Sequence, residues 1–348
     1  MPSGAGEMVI VRVRGCVAVV TGASGGIGRA TALALARGGA AVVLAARGER
    51  ALEETAEECR ARGGRALAVV TDVADHESVE ELARRATEEF GRIDVWVNCA
   101  ALTLFGSFTE VPLEDFRRVV DVNLMGYVHG AREALSRFQG QGHGVLVDVS
   151  SIVGVVAQPY THAYGATKFA VRALGSSLRQ ELALSGDRGV HVCTVLPAAI
   201  DTPIFDHAAN YTGRRVVAMP PVYTPERVAR TIVNLVRAPR REVVVGPGRG
   251  LLALSKIAPG TAERVMRVHV DRNHLSRHEP EAANSGNLYR PESGGGRIHG
   301  GWHGGRRTAV RRLTTVGALG GAAVVLARRR ARRRPARSAN PVRALLTR

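Results

Sequence analysis

The sequence predicts an α/β fold in which helices cover both faces of a doubly wound parallel sheet. Short apolar segments rich in β-branched residues alternate along the chain with amphipathic segments of helical period. The apolar segments show little polar alternation, which is typical of strands that are covered on both faces. Alternation of this kind builds βαβ units, and such units place their strands parallel in one sheet.

Apolar segments are predicted as the strands, and the amphipathic segments between them as helices. The helix predicted over residues 75–90 begins at an N-capping aspartate, Asp75. Further helices are predicted over 49–62 and 161–184, and another begins near Thr224. The predicted strands are 17–20, 41–44, 66–70, 95–97, 145–149, 190–196 and 242–245.

The chain divides into three predicted parts. Residues 1–250 form the α/β domain, and residues 251–292 form a C-terminal helical extension. The helical pattern of the extension continues to residue 277 and is interrupted at Pro259 and Gly260. Residues 293–348 form a glycine-rich linker and an arginine-rich, basic tail.

Positive charge is concentrated in the predicted tail. The 348-residue chain has a formal net charge of +17, yet residues 293–348 hold fourteen Arg and no Asp, Glu or Lys, so the first 292 residues carry only +3. The basic charge therefore belongs to an appendage and not to the folded domain. No recognised nucleic-acid-binding module accompanies it, and nucleic acid is not an expected partner.

The cysteines indicate a reducing compartment. None of Cys16, Cys59, Cys99 and Cys193 forms a CxxC pair, and three of them lie in or beside apolar segments. We therefore expect buried, reduced thiols of a cytoplasmic protein, and no metal site is predicted. The N-terminal residues lack the charged-then-apolar pattern of a secretory signal, so export is not expected.

A glycine-rich turn, TGASGGIGRA over residues 21–30, joins the first predicted strand to the first helix. Gly22, Gly26 and Gly28 permit a tight turn, a close approach of ligand to backbone, and close packing of helix on strand. The free N–H groups and positive dipole of a helix N-terminus favour a pyrophosphate at this point. The sequence therefore predicts a dinucleotide site, and the alternative is a plain tight turn.

The TGxxxGxG spacing of this turn resembles that of the short-chain dehydrogenase/reductase family. Further motifs similar to the family's follow in its order, and the resemblance covers residues 14–245. It implies a Rossmann-like fold, hydride transfer with a nicotinamide cofactor, and a homo-oligomer, either dimer or tetramer. The motifs are Asp72-Val73, NCAA from Asn98, Asn123 in VNLMG, Ser150-Ser151, YGATK from Tyr164 to Lys168, and PAAIDT from Pro197 to Thr202.

The end of the second predicted strand indicates which nicotinamide cofactor is used. An acidic residue at this point binds the 2′-hydroxyl of NAD, whereas Arg accommodates the 2′-phosphate of NADP. Here the strand is followed by Arg47, and no carboxylate appears before Glu49. NADP(H) is therefore predicted in preference to NAD(H). The alternative is that Arg47 is a solvated loop residue, and Gly25 stands where many NADP-preferring relatives carry a basic side chain.

The resemblance also implies which residues contact the cofactor. Asp72 is implied at the adenine, although its position suits a helix or turn cap equally well, and Asn98 supports the loop beneath the cofactor. Ala101 and Ala198 stand where the family has glycine, so both loops are expected to be slightly altered. The implied contacts are Gly22, Ser24, Gly26, Ile27, Gly28, Arg47, Asp72, Val73, Asn98, Tyr164, Lys168, Pro197, Ile200 and Thr202.

Tyr164 and Lys168 lie four residues apart, so a helix places both side chains on one face. An ammonium about 5 Å from a phenolate, at an effective dielectric of about 20, stabilises the phenolate by roughly 3 kcal/mol. The pKa of Tyr164 is therefore expected to fall about two units from its usual value near 10, which suits a general acid and base. The alternative is a packed tyrosine beside a solvated lysine.

Two more polar residues complete the implied catalytic set of Asn123, Ser151, Tyr164 and Lys168. Ser151 lies thirteen residues before Tyr164, the separation at which relatives place the serine that polarises the substrate oxygen. Ser150 is expected to cap the strand end instead. Asn123 is implied to bend a helix and hold a water that links Lys168 to solvent, or alternatively to satisfy buried backbone groups.

Together these motifs predict an NADP(H)-dependent oxidoreductase that interconverts an alcohol and a ketone or aldehyde, with Tyr164 as general acid and base. The alternatives are a related reaction such as epimerisation, or a cofactor-binding module without turnover that its tail recruits to membrane or nucleic acid. Residues 202–223 stand where relatives carry a substrate lid, which indicates either an apolar substrate or ordinary lid packing. The apolar lid residues are Phe205, Tyr211, Val216, Val217 and Met219.

The tail contains an uncharged segment of 15 residues, 313–327, between arginine clusters. A helix of this length would measure about 22 Å, which is shorter than a hydrocarbon core of roughly 30 Å. A helix lying on an anionic membrane surface is therefore predicted ahead of a membrane span, a solvated tail or nucleic-acid binding. We expect a cytoplasmic protein with peripheral membrane association through this tail.

Overall fold

A seven-stranded parallel sheet forms the centre of the structure, a computed structural model that describes residues 11–291 and 296–303. The strands are β1 (Val17–Thr21), β2 (Ala41–Ala46), β3 (Arg65–Val70), β4 (Val95–Asn98), β5 (Leu104–Phe105), β6 (Gly144–Val149), β7 (Val190–Pro197), β8 (Ala209–Asn210), β9 (Arg214–Val216), β10 (Glu242–Val245) and β11 (Leu275–Pro280). Of these, β5, β8, β9 and β11 form two separate two-stranded sheets.

Helices cover both faces of this sheet, whose strand order is β10-β7-β6-β4-β1-β2-β3. The helices are α1 (Gly26–Arg37), α2 (Glu49–Ala61), α3 (His76–Phe90), α4 (Leu113–Val120), α5 (Gly126–Gln141), α6 (His162–Ser185), α7 (Pro225–Arg237), α8 (Gly248–Ile257) and α9 (Pro259–Asn273). One apolar cluster joins α1, α2 and α7 to one face, and another joins α3, α5 and α6 to the opposite face. The predicted doubly wound α/β fold is confirmed.

All seven predicted strands are present, and their ends agree with the prediction within two residues. The strands are apolar because the sheet is covered on both faces, as predicted. β1, β4 and β6 are buried along their whole length. The predicted cap of α3 is also present, since the carboxylate of Asp75 accepts a hydrogen bond of 3.2 Å from Glu77 N–H.

The glycine turn lies where the strand order reverses. β1 stands between β2 and β4, so the connections from β1 and from β4 leave the sheet in opposite directions and open a crevice at the carboxyl ends of the strands. A Cβ atom on Gly28 would lie 2.1 Å from the carbonyl oxygen of Gly22, and Gly26 has φ +50°. Both positions therefore require glycine, one for close packing and one for its backbone conformation.

The C-terminal extension differs from the prediction at its end. The sequence predicts helix up to residue 277, but α9 ends at Asn273 and β11 follows it. Leu275 is buried and pairs antiparallel with Val216 of β9. The helix prediction was wrong for these residues because the partner strand is distant in sequence, and a local periodicity cannot reveal such pairing.

The predicted tail segment, 313–327, lies outside the described residues. In residues 11–291 and 296–303, no helix is both long enough and apolar enough to cross a membrane. The boundaries predicted for the three parts of the chain stay a prediction.

Candidate active site

A cavity of about 320 Å³ opens at the carboxyl ends of the central strands, a size within the usual range for small-molecule sites. Most residues implied by the sequence motifs lie on its wall. Asn98 and Asn123 are the exceptions, because both are buried and neither lines the cavity. The predicted residues on the wall are Gly22, Ser24, Gly26, Ile27, Gly28, Arg47, Asp72, Val73, Ser151, Tyr164, Lys168, Pro197, Ile200 and Thr202.

The structure brings Tyr164 and Lys168 together on the wall formed by α6. Lys168 Nζ lies 5.6 Å from the centre of the Tyr164 ring. Its side chain is 1% exposed, and Nζ donates hydrogen bonds to the carbonyl oxygen of Val149 (2.9 Å) and to Tyr127 Oη (3.1 Å). The alternative of a solvated lysine is therefore excluded by its burial.

Burial changes the acidity of both groups. It raises the pKa of Tyr164 to about 12, opposed by a hydrogen bond with Ser151. It lowers the pKa of Lys168 to about 8. The sequence predicts that Lys168 lowers the pKa of Tyr164, and for the polypeptide alone this prediction was wrong. Burial destabilises the phenolate by removing its hydration, and this effect is larger than the stabilisation that the surrounding groups provide. At neutral pH the phenol is therefore protonated, and the lysine is charged.

The two neighbouring serines have different partners. Ser151 lies on the cavity wall, interacts with Tyr164, and accepts a hydrogen bond of 3.2 Å from Val153 N–H. Ser150 Oγ instead donates to the backbone carbonyl of Lys168 at 2.8 Å. Ser151 is therefore the serine with a hydroxyl beside the phenol, and Ser150 ties the strand end to α6.

Asn123 lies in a π-helical turn, Asp121–Met125, between α4 and α5. Its Oδ1 accepts from Leu102 N–H at 2.7 Å, and its Nδ2 donates to Leu102 O at 2.8 Å. The side chain is fully buried and satisfies backbone groups of the segment after β4. Asn123 therefore satisfies buried backbone groups, which is the alternative role predicted for it. A role in holding water stays a prediction.

Asn98 supports the same region from beneath. Its Nδ2 donates to Asp148 Oδ1 (2.9 Å) and to the carbonyl of Tyr127 (3.3 Å), while its Oδ1 accepts from Trp96 Nε1 (2.9 Å). Burial raises the pKa of Asp148 to about 6. The amide of Asn98 therefore links the ends of β4 and β6 to the first turn of α5.

Asp72 and Arg47 lie at the β2 end of the cavity. Asp72 Oδ1 accepts from Ala74 N–H at 3.1 Å, which is the capping role, and Oδ2 pairs with Arg118 at 2.6 Å. Arg47 donates to the carbonyl oxygens of Leu288 (2.8 Å) and Asn287 (2.7 Å). Arg47 is therefore a partly buried residue and not a solvated one.

The loop after β7 faces the glycine turn. Ile200 forms a bridge with Tyr223, and Asp201 N–H donates to Tyr223 O at 2.8 Å, which fixes the loop. Thr202 is 6% exposed, and a Cβ on Gly26 would lie 3.1 Å from its methyl carbon. The two loops therefore approach each other across the cavity as closely as a glycine allows.

Only part of the predicted lid reaches the cavity. Phe205 and Met219 line it. Tyr211 instead bonds to Asp115 through its hydroxyl, Val216 pairs with β11, and Val217 N–H donates to His274 O at 3.0 Å. Phe205 and Met219 can therefore contact a ligand, whereas the other three residues pack the lid.

Two parts of the site are not among the residues predicted from the sequence. Tyr127 lies four residues after Asn123, and this spacing on a helix was the available signal. Residues 296 and 297 also line the cavity, although the sequence assigns them to a glycine-rich linker. No local pattern indicates their position, because Gly26 and Arg29, which donate hydrogen bonds to their carbonyl groups, are far away in the chain.

The residues of the cavity fit a nicotinamide dinucleotide. The N-terminus of α1 lies on the wall, and its first N–H groups have no acceptor within the helix. A side chain at Gly22 or Gly28 would meet backbone atoms within 3 Å, so only glycine fits at these two positions of the turn. A phosphate is the group that such a helix N-terminus favours.

Comparison with known proteins agrees with this geometry. Residues 16–211 match the model of the family described as short chain dehydrogenase. The "Uncharacterized oxidoreductase YxnA" of Bacillus subtilis (strain 168) is 35% identical over 263 residues, which are 75% of this chain and 74% of that protein.

Solved structures are similar as well. A short chain dehydrogenase/reductase from Burkholderia phymatum in complex with NAD has a TM-score of 0.65 and 28% identity, covering 74% of this chain and 96% of its own. An alcohol dehydrogenase from the archaeon Thermococcus sibiricus, complexed with 5-hydroxy-NADP, has a TM-score of 0.58 and 31% identity, covering 66% and 95%.

We expect Lys168→Met to raise the free energy of unfolding at neutral pH and to lose this advantage as the pH rises. The Lys168 pKa is about 8 in the folded chain, below its ordinary 10.5, so below pH 8 folding buries a charge. Between these values the unfolded state binds the extra proton, and the wild type gains stability with rising pH. Urea denaturation should show a difference of at most about 3 kcal/mol that shrinks toward zero.

Lys256→Met is the matched control, because Lys256 is exposed on α8. It should leave the pH dependence of the unfolding free energy unchanged. A Lys168→Met difference that stays constant between about pH 7 and pH 10 would contradict the burial of a charged ammonium.

Proposed function

The chain belongs to the short-chain dehydrogenase family of oxidoreductases acting with NAD(P), and from this premise we propose an NADP(H)-dependent enzyme that interconverts an alcohol and a ketone or aldehyde. The observation that carries the proposal is the common wall of Tyr164, Ser151 and Lys168 in a cavity that also contains the glycine turn. This arrangement combines a proton donor, a hydrogen-bond donor and a buried cation at one place.

When bound, the nicotinamide supplies or accepts a hydride at its C4 atom. In the direction of reduction, Tyr164 Oη holds the proton that the developing alkoxide needs, because burial keeps the phenol protonated at neutral pH. Ser151 Oγ donates a hydrogen bond to the same substrate oxygen and stabilises its growing negative charge. The two hydroxyl groups interact with each other, so they approach the substrate oxygen as a pair.

Lys168 acts on the phenolate that remains after proton transfer. Its Nζ is 5.6 Å from the Tyr164 ring centre, and at this separation a unit charge attracts a phenolate by about 3 kcal/mol at an effective dielectric near 20. Val149 O and Tyr127 Oη hold the ammonium in position. The lysine therefore opposes the desolvation that otherwise disfavours the phenolate.

Arg47 supports NADP(H) as the preferred cofactor. It lies on the cavity wall directly after β2, the point where a dinucleotide ribose is read. Its two hydrogen bonds to carbonyl oxygens leave further N–H groups of the guanidinium for a phosphate. The pKa of Arg47 is lowered by burial and by Arg118, so two neighbouring cations favour an added dianion.

The cavity lining supports a substrate with an apolar part. Phe105, Phe205 and Met219 line the same cavity as Tyr164. An alcohol or carbonyl compound would place its polar oxygen at Tyr164 and Ser151 and its apolar part against these side chains.

The remaining proposals follow the resemblance to the family and the composition of the chain. We propose a homo-oligomer located in the cytoplasm, where the four cysteines, which are all free, stay reduced. We also propose that the basic tail, through residues 313–327 and the flanking arginines, brings the enzyme to anionic membrane surfaces.

Replacing the proton donor tests the reaction. We expect Tyr164→Phe to lower NADPH consumption with a panel of ketones and aldehydes by about 100-fold or more, because it removes general acid catalysis. The dissociation constant for NADPH, measured by fluorescence titration, should stay within about twofold of the wild-type value. Tyr160→Phe is the matched control, since Tyr160 packs in the neighbouring apolar clusters but does not itself line this cavity. Unchanged turnover in Tyr164→Phe would rule out the proposed acid.

Replacing the arginine after β2 tests the cofactor preference. We expect Arg47→Ala to weaken NADPH binding about tenfold and NADH binding much less, because only NADPH presents a 2′-phosphate to the guanidinium. The two dissociation constants should be measured side by side. Equal losses for both cofactors would show that Arg47 acts only through its contacts with Leu288 and Asn287.

A further inference from the structure

Residues 281–291 and 296–303, here called the C-terminal arm, contact the cavity at three places. The first place is the β2 end. Before it reaches this end, the arm pairs with β8 through two backbone hydrogen bonds between Asn284 and Asn210 of 2.9 and 3.0 Å. Leu288 is fully buried, and its carbonyl and that of Asn287 accept the two hydrogen bonds from Arg47. This part of the arm is therefore fixed by its backbone.

The second place is the glycine turn itself. Gly26 N–H donates to the carbonyl of Arg297 at 2.9 Å, and Arg29, which is 6% exposed, donates to the carbonyl of Gly296. A Cβ on Gly296 would lie 1.8 Å from the carbonyl oxygen of Ser24. The arm therefore touches the turn at a distance that only glycine permits at position 296.

The third place is the loop after β7. Asp201 is 3% exposed, and its Oδ1 accepts from the backbone N–H groups of Gly300 (3.1 Å) and Trp302 (2.7 Å). His299 lies between Asp201 and Glu226, with Nε2 at 2.9 Å from the Glu226 carboxylate. A buried carboxylate that accepts two backbone N–H groups is a strong and directional anchor.

Between these anchors the arm borders the cavity without filling it. Asn287, Pro291, Gly296 and Arg297 line the same cavity as Tyr164 and the glycine turn. The arm accepts the hydrogen bond of the Gly26 N–H. Ile27 and Gly28 also lie on the wall, and their N–H groups have no acceptor within the helix. Space and phosphate donors therefore remain on the inner side of the arm.

We propose that the described residues of the C-terminal arm form the outer wall of the cofactor site and retain the bound dinucleotide, with Arg297 as a phosphate-binding residue. This inference depends on the proposed function as an NADP(H) enzyme. The described residues of the arm contact Arg47 at the β2 end of the cavity and Asp201 in the loop after β7. A cofactor enclosed in this way can leave only after the arm has moved.

Arg297 is the charged part of this wall. Its guanidinium is about half exposed and lies 3.8 Å from the Asp206 carboxylate, a separation longer than a hydrogen bond. Its backbone is fixed at the glycine turn by the bond from Gly26. Arg297 lines the same cavity as the N-terminus of α1, and an arginine matches phosphate in charge and geometry.

Two variants of the full chain test the wall. Gly296→Ala must displace the arm from the backbone of Ser24 and leaves every charge in place, whereas Arg297→Ala removes the charge. We expect each to raise the dissociation rate of NADPH about tenfold, or ~1.4 kcal/mol, measured by stopped-flow fluorescence during a chase with NADP⁺. Gly250→Ala is the matched control, because a Cβ there meets nothing within 4 Å.

Hydrogen exchange gives a second measurement that is independent of turnover. NADPH should slow amide exchange in residues 296–303 of the wild type. Faster exchange on addition of NADPH, or slower release from Gly296→Ala, would show that the arm competes with the cofactor and would overturn the inference. Unchanged release from both variants would overturn it too. If the wild type binds neither NADPH nor NADH, the proposed function itself fails.

Discussion

A charged lysine buried at the carboxyl end of the sheet is the constraint on which the rest of the site depends. Lys168 has 1% of its surface exposed, and two oxygen atoms, Val149 O and Tyr127 Oη, accept its hydrogen bonds. A buried ammonium without such partners would cost several kcal/mol. The end of β6 and the first turn of α5 must therefore both stand where they do. The first turn of α5 directly follows the π-helical turn, and the amide of Asn98 connects it to the sheet through a hydrogen bond to the carbonyl of Tyr127.

The burial of Lys168 and Tyr164 also determines their protonation states. Burial raises the pKa of Tyr164 to about 12 and lowers that of Lys168 to about 8, so the two values move apart and both groups carry their protons at neutral pH. A neutral phenol beside an ammonium is ready to give up a proton to an alkoxide, and the ammonium then stabilises the phenolate. The positive charge of an oxidised nicotinamide would add to this stabilisation in the direction of alcohol oxidation.

Local patterns predicted the framework of this protein well and its long-range contacts poorly. All seven strands could be predicted because parallel strands buried on both faces must be apolar along their length. Helical spacing likewise placed Tyr164 and Lys168 on one cavity wall. Burial could not be read from spacing, and so the direction of the Tyr164 pKa was missed. The pairing of Leu275 with Val216 and the seat of residues 296–303 on the glycine turn depend on partners far away in sequence.

Deuterium tracing shows directly whether this cavity transfers a hydride between a nicotinamide and a carbonyl carbon. The enzyme would be incubated with a panel of ketones and aldehydes and with NADPH carrying deuterium at both C4 positions of the nicotinamide. We expect the alcohol formed to gain one deuterium on the former carbonyl carbon, while the hydroxyl proton comes from solvent. An alcohol without deuterium, or no alcohol from any compound while NADPH binds, would contradict this expectation.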